Sequence, residues 1–307
     1  MNNPQKGLWL GLLGVLIFAA TLPMTKLAVG SASAPQLSAA FVSFGRAAVA
    51  GVLSLFYLAF MQHKAGAAQA NYPRGKQWAM LVITASGVVL GFPLFLALAL
   101  RQVPSTHGAV VTGLLPLATA VLGALWFRQK PSTGFWLCAV LGSALVLAYM
   151  VVRAGSFELH QADLFLIAAM LIGAVGYVGG AALTPALGAE RVICWVLVIS
   201  LPFTLPLALF NAPQQAVPCS AWLAFAYVAL FSMWIGFFAW YRGLALGGAV
   251  RVSQVQLIQP FVSILMAIPL LGEALDAVTI GFALAVIATV FVGKKMSTGT
   301  PSKGAKQ

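Results

Sequence analysis

The chain consists of long apolar runs separated by short polar or charged connections. Reading from one charge, proline or polar cluster to the next gives ten runs, each close to the roughly 20 residues that an α-helix needs to cross a bilayer. The runs do not alternate between apolar and polar positions as barrel strands do. We therefore predict an all-α polytopic membrane protein with ten transmembrane helices. The predicted spans are 7–29, 37–61, 77–100, 105–127, 133–152, 162–183, 192–210, 221–241, 250–271 and 277–292.

Composition supports the membrane assignment. Hydrophobic residues make up 61% of the chain and charged residues 7%, whereas a soluble domain carries about 25% charged residues. A net charge of +12 would indicate nucleic acid in a soluble protein, but a chain with so few polar residues cannot form a basic groove. The first run resembles a signal peptide, yet no convincing cleavage site follows, so we interpret it as the first span. We predict that residues 294–307 form a disordered basic tail.

The distribution of Lys and Arg predicts the orientation. If the N-terminus is cytoplasmic, thirteen of the seventeen basic residues lie in inner connections or termini and three in outer ones, while Arg46 lies within a span. Basic residues accumulate on the cytoplasmic side of membrane proteins. We therefore predict a multi-pass protein of the bacterial inner (plasma) membrane with both termini in the cytoplasm.

The two halves of the chain align at a constant offset of 144 residues. Each half holds five predicted spans, and this odd number gives the second half the opposite orientation in the membrane. Such inverted repeats bind substrate near the midplane between the halves. We predict a first repeat at 7–152 and a second at 162–293. The aligned pairs are Thr112 with Gln256, Pro116 with Pro260, and Thr119 with Ser263.

A polar stripe runs along the predicted ninth span. Gln256, Gln259 and Ser263 fall within about 60° of one another at 100° per residue. Such groups are disfavoured against lipid, where nothing satisfies their hydrogen bonds. Thr112 and Thr119 supply polar groups at the aligned positions of the fourth span. We predict that these five residues line a substrate cavity, with hydrogen bonding between helices as the alternative.

Arg46 is the charge placed deepest in a predicted span. It lies nine positions into the second span, about 13 Å deep at 1.5 Å per residue, where a charge is costly and usually functional or paired. We expect a partner among backbone carbonyls, hydroxyls, water or a substrate carboxylate, or a structural role with the side chain reaching the outer interface. Trp234 and Tyr177 are aromatic candidates for the same cavity, with core packing as the alternative.

Proline, glycine and histidine mark further features of the spans. Pro116 and Pro260 are candidate hinges, because proline removes a helix hydrogen bond. Pairs of glycines four residues apart, such as Gly87 with Gly91 and Gly176 with Gly180, allow close helix contacts. His107 is expected to be exposed at a helix end, with a proton relay as the alternative, because imidazole titrates near neutral pH.

No motif for catalysis or ATP binding occurs. The sequence lacks G-x-x-x-x-G-K-[ST], H-E-x-x-H and G-x-S-x-G, and its three cysteines form no C-x-x-C, so we expect neither an enzyme nor a cofactor or metal site. The expected partners are a small-molecule substrate, membrane lipid and, as an option, a second copy of the chain in a homodimer. Nucleic acid is not expected.

The last two predicted spans carry the most specific family resemblance. The segment 252–260 reads VSQVQLIQP, and Leu271-Gly272-Glu273 follows it ahead of Gly281. These motifs resemble the EamA-type ten-span transporters of the drug/metabolite transporter superfamily, and the first half keeps only Pro116 of the corresponding pattern, without the Gly-Glu pair. The family typically has an arginine at the position of Arg46. The resemblance covers about residues 7–293.

The resemblance implies secondary transport of small metabolites or amino acids without ATP. The basic residues Arg46 and His107 favour a carboxylate-bearing substrate. The lack of an acidic residue in the core of any predicted span argues against an organic cation as the substrate. We therefore expect a transporter that moves an amino acid or related compound, in the direction of export, by alternating access. The alternatives are a passive channel or facilitator, and a drug or organic-cation efflux transporter.

Overall fold

The protein is built from helices. The structure, a computed structural model, describes residues 3–65, 72–126, 132–154, 160–247 and 254–297. Within these ranges the chain forms helices and one isolated β-bridge between Gly30 and Pro35, which confirms the all-α class. The α-helices are α1 Asn3–Ala19, α2 Thr21–Val29, α3 Ala39–Ala65, α4 Lys76–Thr84, α5 Phe92–Leu100, α6 Ser105–Thr112, α7 Leu115–Trp126, α8 Thr133–Ala154, α9 Gln161–Leu187, α10 Ala189–Phe210, α11 Cys219–Tyr227, α12 Gly236–Gly247, α13 Gln259–Leu271 and α14 Ala277–Ser297.

Ten helical stretches coincide with the ten predicted runs. Seven in the described ranges are long and apolar enough to cross a membrane: Gln5–Val29, Ala39–His63, Lys76–Leu100, Ser105–Trp126, Gln161–Leu187, Ala189–Phe210 and Cys219–Gly243. Three shorter apolar helices are Trp136–Tyr149, Gln259–Leu271 and Ala277–Thr289. The chain is therefore a multi-pass membrane protein. Residues 248–253 at the predicted start of the ninth span, and 298–307 of the predicted tail, lie outside the described residues, while α14 continues through Ser297.

The distribution of polarity is that of a protein surrounded by lipid. Large apolar side chains face outward, and Phe210 is 92% exposed. Polar side chains such as Thr25, Ser43, Arg46 and Thr204 are buried instead. An exposed apolar surface of this extent is unfavourable in water and favourable against lipid tails.

Two π-helical segments interrupt the third and eighth spans at equivalent places. The segment π1, Ala85–Gly91, joins α4 to α5, and π2, Val228–Ile235, joins α11 to α12. Shifting π1 by the 144-residue offset gives positions 229–235, which lie within π2. Helix starts repeat at the same spacing: Leu115 and Gln259, and Thr133 and Ala277.

Pro93 follows the first π-helical segment. It has no N–H to donate to the carbonyl four residues back, and its ring crowds that carbonyl. The N–H of Phe92 donates to the carbonyl of Gly87, five residues back, and the equivalent segment π2 forms with Phe237 at the position aligned with Pro93. π-Helical bulges of this kind are frequent at functional sites.

The segment π1 lies against α9 with almost no space between the backbones. A Cβ atom on Gly87 would lie 2.6 Å from the Cα and N atoms of Gly176 and from the carbonyl oxygen of Ile172. Only glycine allows this approach. Two of the glycine patterns seen in the sequence therefore lie at one close helix contact, although the sequence did not indicate that these two segments meet.

Candidate substrate cavity

An internal cavity of about 60 Å³ lies where both halves of the chain meet. Apolar side chains from two buried clusters form much of its wall, including Phe18, Met233 and Phe237 from one cluster and Leu22 and Ala109 from the other. A buried water occupies roughly 10–15 Å³ by this measure. This conformation therefore encloses the space of a few water molecules, and an amino acid requires the cavity to widen.

Arg46 projects from α3 into this cavity. Its side chain is 4% exposed, so it lies inside the protein rather than at the outer surface. The Nη2 group donates a hydrogen bond to Ser232 Oγ at 2.8 Å, and Ser232 Oγ lies 2.7 Å from Thr21 Oγ1. The Nε–H has no hydrogen-bond partner within the described part of the chain. The guanidinium therefore has one buried N–H group without a partner among the described residues.

The predicted polar stripe also borders the cavity. Gln256 lies in the 3₁₀-helical turn Gln254–Ile258, and Gln259 and Ser263 lie on the first turns of α13. Ser263 Oγ donates a 2.6 Å hydrogen bond to the carbonyl oxygen of Ala19, where α1 ends. Ser263 thus ties α13 to the break between α1 and α2, while the two glutamines present amides to the cavity.

Two further predicted residues line the same space. Thr112 ends α6, and its hydroxyl donates to the carbonyl of Gly108 at 2.7 Å. Tyr177 of α9 lines the cavity together with Arg46. The fold therefore brings six predicted residues to one cavity, from both halves of the chain. They are Arg46, Thr112, Tyr177, Gln256, Gln259 and Ser263.

Thr119 and Trp234 are not among the residues that line the cavity. The Thr119 hydroxyl donates to the carbonyl of Leu115 at 2.8 Å, within its own helix. Trp234 packs against Tyr57 and Phe238, with ring centroids 6.4 and 5.0 Å away. In this conformation the two side chains pack within the protein.

The two candidate hinge prolines occupy equivalent helix positions. Each is the second residue of its helix, Pro116 in α7 and Pro260 in α13. Pro260 lines the cavity and faces Gly113 at the break between α6 and α7, since a Cβ on Gly113 would lie 3.5 Å from Pro260 Cγ. The side chain of Pro116 lies outside the described part of the structure.

Sequence reasoning did not single out Thr21 and Ser232, the two hydroxyls next to Arg46. Both are small polar residues in otherwise apolar runs. A lone polar residue in an apolar run was the sequence feature that could have indicated them. Their pairing with Arg46 carries no sequence signal, because Ser232 is 186 residues away along the chain. Packing of α3 against π2 brings the two residues together.

His107 is buried, so the expectation of an exposed histidine at a helix end is wrong. It is 7% exposed, and its Nε2 lies 2.8 Å from Oδ1 of Asp163, which is 3% exposed. Asp163 is in the first turn of α9, and its Oδ2 accepts a hydrogen bond from the backbone N–H of His160. Packing of α9 against α6 covers the histidine.

The N-terminus of α6 is held by a carboxylate from the other half of the chain. Glu273, which follows α13, accepts hydrogen bonds from the backbone N–H groups of Ser105 and Thr106 at 2.7 and 2.9 Å. Beside it, Lys26 Nζ donates to the carbonyl of Leu100 at the end of α5. These contacts join α6 to the segment after α13, and α2 to the end of α5.

The opposite end of the molecule has its own polar contact. Glu190 at the start of α10 accepts from the Tyr57 hydroxyl of α3 and from Nη1 of Arg242 in α12, each at 3.3 Å. Three helices meet at this carboxylate. At both ends of the bundle, a glutamate therefore joins separate helices.

The family model of the EamA-like transporters matches this chain twice, at residues 5–151 and 160–293. The chain belongs to the EamA-like transporter family. It is also similar to the uncharacterized transporter YdeK of Bacillus subtilis (strain 168), with 40% identity over 299 residues, which cover 97% of this chain and 100% of YdeK. The predicted resemblance is thus confirmed, and the protein is a membrane transporter rather than an enzyme.

A solved crystal structure shows the same fold. It superposes with a TM-score of 0.62 at 18% identity and covers 96% of this chain and 99% of the other. Among the described residues of the present chain, no group of three or more His, Cys, Asp or Glu side chains is placed to hold a metal ion.

Proposed function

We propose that the protein is a secondary transporter that carries an amino acid or related carboxylate-bearing metabolite across the bacterial inner membrane, in the direction of export. The observation that carries this proposal is Arg46, a buried guanidinium with an unpartnered Nε–H in a cavity between the two halves. Guanidinium and carboxylate form charge-assisted, often bidentate hydrogen bonds. A substrate carboxylate is the group that completes this site.

The walls of the cavity fit the rest of an amino acid or a similar metabolite. Gln256 and Gln259 provide amide donors and acceptors, and the hydroxyls of Thr21 and Ser232 lie beside the guanidinium. The surrounding side chains are mainly apolar. Apolar walls with a few polar groups that fix orientation are typical of sites for small molecules.

The charge of the cavity disfavours an organic cation. Among the described residues that line it, Arg46 carries a charge and no Asp or Glu is present. A cation would be placed beside a permanent positive charge in a medium of low dielectric constant, where repulsion is strong. Efflux of organic cations is therefore the less favoured function.

In the proposed mechanism, all ten helical stretches cross the membrane as two inverted five-helix repeats. The repeated positions of π1 and π2, and of the starts of α7 and α13, support this arrangement. On the predicted orientation, Glu273 closes the outer end and Glu190 the inner end. Alternating access requires that the two contacts open in turn while the cavity stays between the repeats.

Counterflow into proteoliposomes tests the function. The purified protein is given radiolabelled amino acids, organic acids and organic cations, each with the same unlabelled compound inside the vesicles. We expect saturable counterflow of a carboxylate-bearing compound. Arg46→Gln should lower it by roughly tenfold or more, since hydrogen bonds to charged groups contribute about 1.5–3 kcal/mol. Arg46→Lys should retain only part of the activity. An ammonium keeps the positive charge but cannot donate in bidentate geometry.

Arg74→Gln is the matched control, because Arg74 is an exposed arginine that is not among the residues lining the cavity. It should retain counterflow, and all variants are compared at equal yield of monodisperse protein. Counterflow of organic cations with none of carboxylates would contradict the proposed substrate class. Conductance without saturation would instead identify a passive channel.

A further inference from the structure

The His107–Asp163 pair is a buried titratable site that substrate binding in the central cavity does not use. The imidazole of α6 and the carboxylate of α9 are 2.8 Å apart and almost completely shielded from the surface. The two residues belong to different halves of the chain. A charged group at such a place in a membrane protein is expensive, and its presence marks a function.

The carboxylate of Asp163 is held in its charged form by its position. Its Oδ2 accepts the backbone N–H of His160, and the residue lies in the first turn of α9, where the helix dipole favours negative charge. With a neutral imidazole the pair carries one net negative charge. A proton on the ring makes the pair neutral overall.

The other groups near this end of α6 act on the same equilibrium. The positive N-terminal end of α6 disfavours a charged imidazole, and Glu273, bonded to that end, offsets the effect. The Tyr149 ring packs on the histidine ring at 5.1 Å, and its hydroxyl lies 3.4 Å from that of Thr279. The titratable and charged groups on or next to the elements packed against α6 are Asp163, His160, Tyr149, Glu273, Asp276, Lys26 and Arg101.

The short helix α6 connects this pair to the cavity. It runs from Ser105 to Thr112 and ends at the break that faces Pro260. His107 is near its start, while Ala109 and Thr112 line the cavity. Any change in the attraction between His107 and Asp163 alters how firmly α6 is held against α9, and therefore how the wall of the cavity is placed.

We propose that the His107–Asp163 pair is the proton-binding site that couples transport to the proton gradient. This proposal rests on the proposed transport function. A proton from the outer aqueous phase adds to the free nitrogen lone pair of the His107 imidazole when the outer end is open. The same proton dissociates into the cytoplasm after the inner end opens, and the substrate leaves the cell in exchange. Asp163 stays ionised throughout and stabilises the imidazolium.

Nuclear magnetic resonance of ring-labelled histidine tests proton binding without any substrate. The chain has three histidines, and His107→Gln identifies the signal of His107 by its loss. We expect that signal to report uptake of a proton on acid titration of the folded protein, and Asp163→Asn to change the course of that titration. A His107 ring that keeps one protonation state throughout the titration would overturn the proposal.

Transport measurements test coupling. The test uses a compound that the wild-type protein exchanges in counterflow. The counterflow rate of His107→Gln should stay within about twofold of the wild-type rate. Its rate of uptake driven by an imposed pH gradient should fall at least tenfold. Glutamine can still bond to Asp163 but takes up no proton. His63→Gln is the matched control, because His63 is exposed. If His107→Gln does not fold, Asp163→Asn is measured in its place.

The outcomes separate the two proposals. Absence of counterflow in the wild-type protein contradicts the transport function, while the nuclear magnetic resonance titration still decides whether the pair binds a proton. Counterflow with an undiminished gradient-driven flux in His107→Gln contradicts the coupling role alone. Equal loss in His63→Gln also contradicts it, because the effect would then not belong to the buried pair.

Discussion

At the scale of single residues, Gln256 has the position of a substrate-recognition residue. It borders the cavity from the 3₁₀-helical turn Gln254–Ile258 that leads into α13, opposite a largely apolar wall. Each apolar side chain around it is replaceable by another of similar shape, whereas an amide supplies both a donor and an acceptor. Specificity for a polar substrate therefore depends more on this residue than on its apolar neighbours.

Replacement of Gln256 by alanine should lower transport without lowering the yield of folded protein. A neutral hydrogen bond contributes about 0.5–1.5 kcal/mol, so we expect kcat/KM for counterflow to fall by roughly twofold to tenfold. The comparison is Thr119→Ala, which removes a hydroxyl that bonds within its own helix. Normal transport by a well-expressed Gln256→Ala protein would show that this amide does not contact the substrate.

Sequence periodicity placed the polar stripe but not the partners of the buried charges. Gln259 and Ser263 fall on one face of α13 because α-helix geometry sets their spacing, and Gln256 borders the same cavity from the preceding 3₁₀-helical turn. The bonds of Arg46 to Ser232 and of His107 to Asp163 join residues far apart in the chain. Such pairs depend on how helices pack, and a hydropathy pattern contains no information about that packing.

At the scale of helices, the contact between π1 and α9 positions one wall of the cavity. Val88 of π1 and Tyr177 of α9 both line the cavity, and between the two elements lie Gly87 and Gly176 in backbone contact. The glycine pattern allowed such a contact. It did not predict the π-helical form of the segment.

Replacement of Gly87 by alanine should destabilise the protein. The added methyl group would lie 2.6 Å from backbone atoms of α9, and backbone cannot rotate away as a side chain can. Overpacking of this kind costs about 1–3 kcal/mol, so the melting temperature of the purified protein should fall by several degrees. Gly281→Ala is the control, because no atom lies within 4 Å of the added Cβ. Equal melting temperatures for the two variants would mean that α9 moves away at little cost.

At the scale of the whole molecule, a glutamate at each end of the bundle joins helices by contacts of different kinds. Glu273 binds backbone N–H groups of α6 and so joins the two halves, whereas Glu190 binds the side chains of Tyr57 and Arg242. Family membership follows from the sequence alone, but the role of Glu273 in the Leu-Gly-Glu motif emerges only from the fold. The first half has Arg128-Gln129 at the aligned place, outside the described residues.

Loss of the charge on Glu273 should shift the protein towards a conformation open at this end. An amide in Glu273→Gln bonds the two N–H groups less strongly than a carboxylate, and a loss of one to two kcal/mol changes a conformational ratio by roughly fivefold to thirtyfold.

Thr112→Cys, in a protein whose three native cysteines are replaced, reports on access to the cavity. Its labelling by a membrane-impermeant maleimide from outside the cell should become several-fold faster. Asp276→Asn is the control, since Asp276 Oδ1 accepts the N–H of Thr279 at the start of α14. Unchanged labelling in Glu273→Gln, or an equal increase in Asp276→Asn, would show that the Glu273 contact does not control this end.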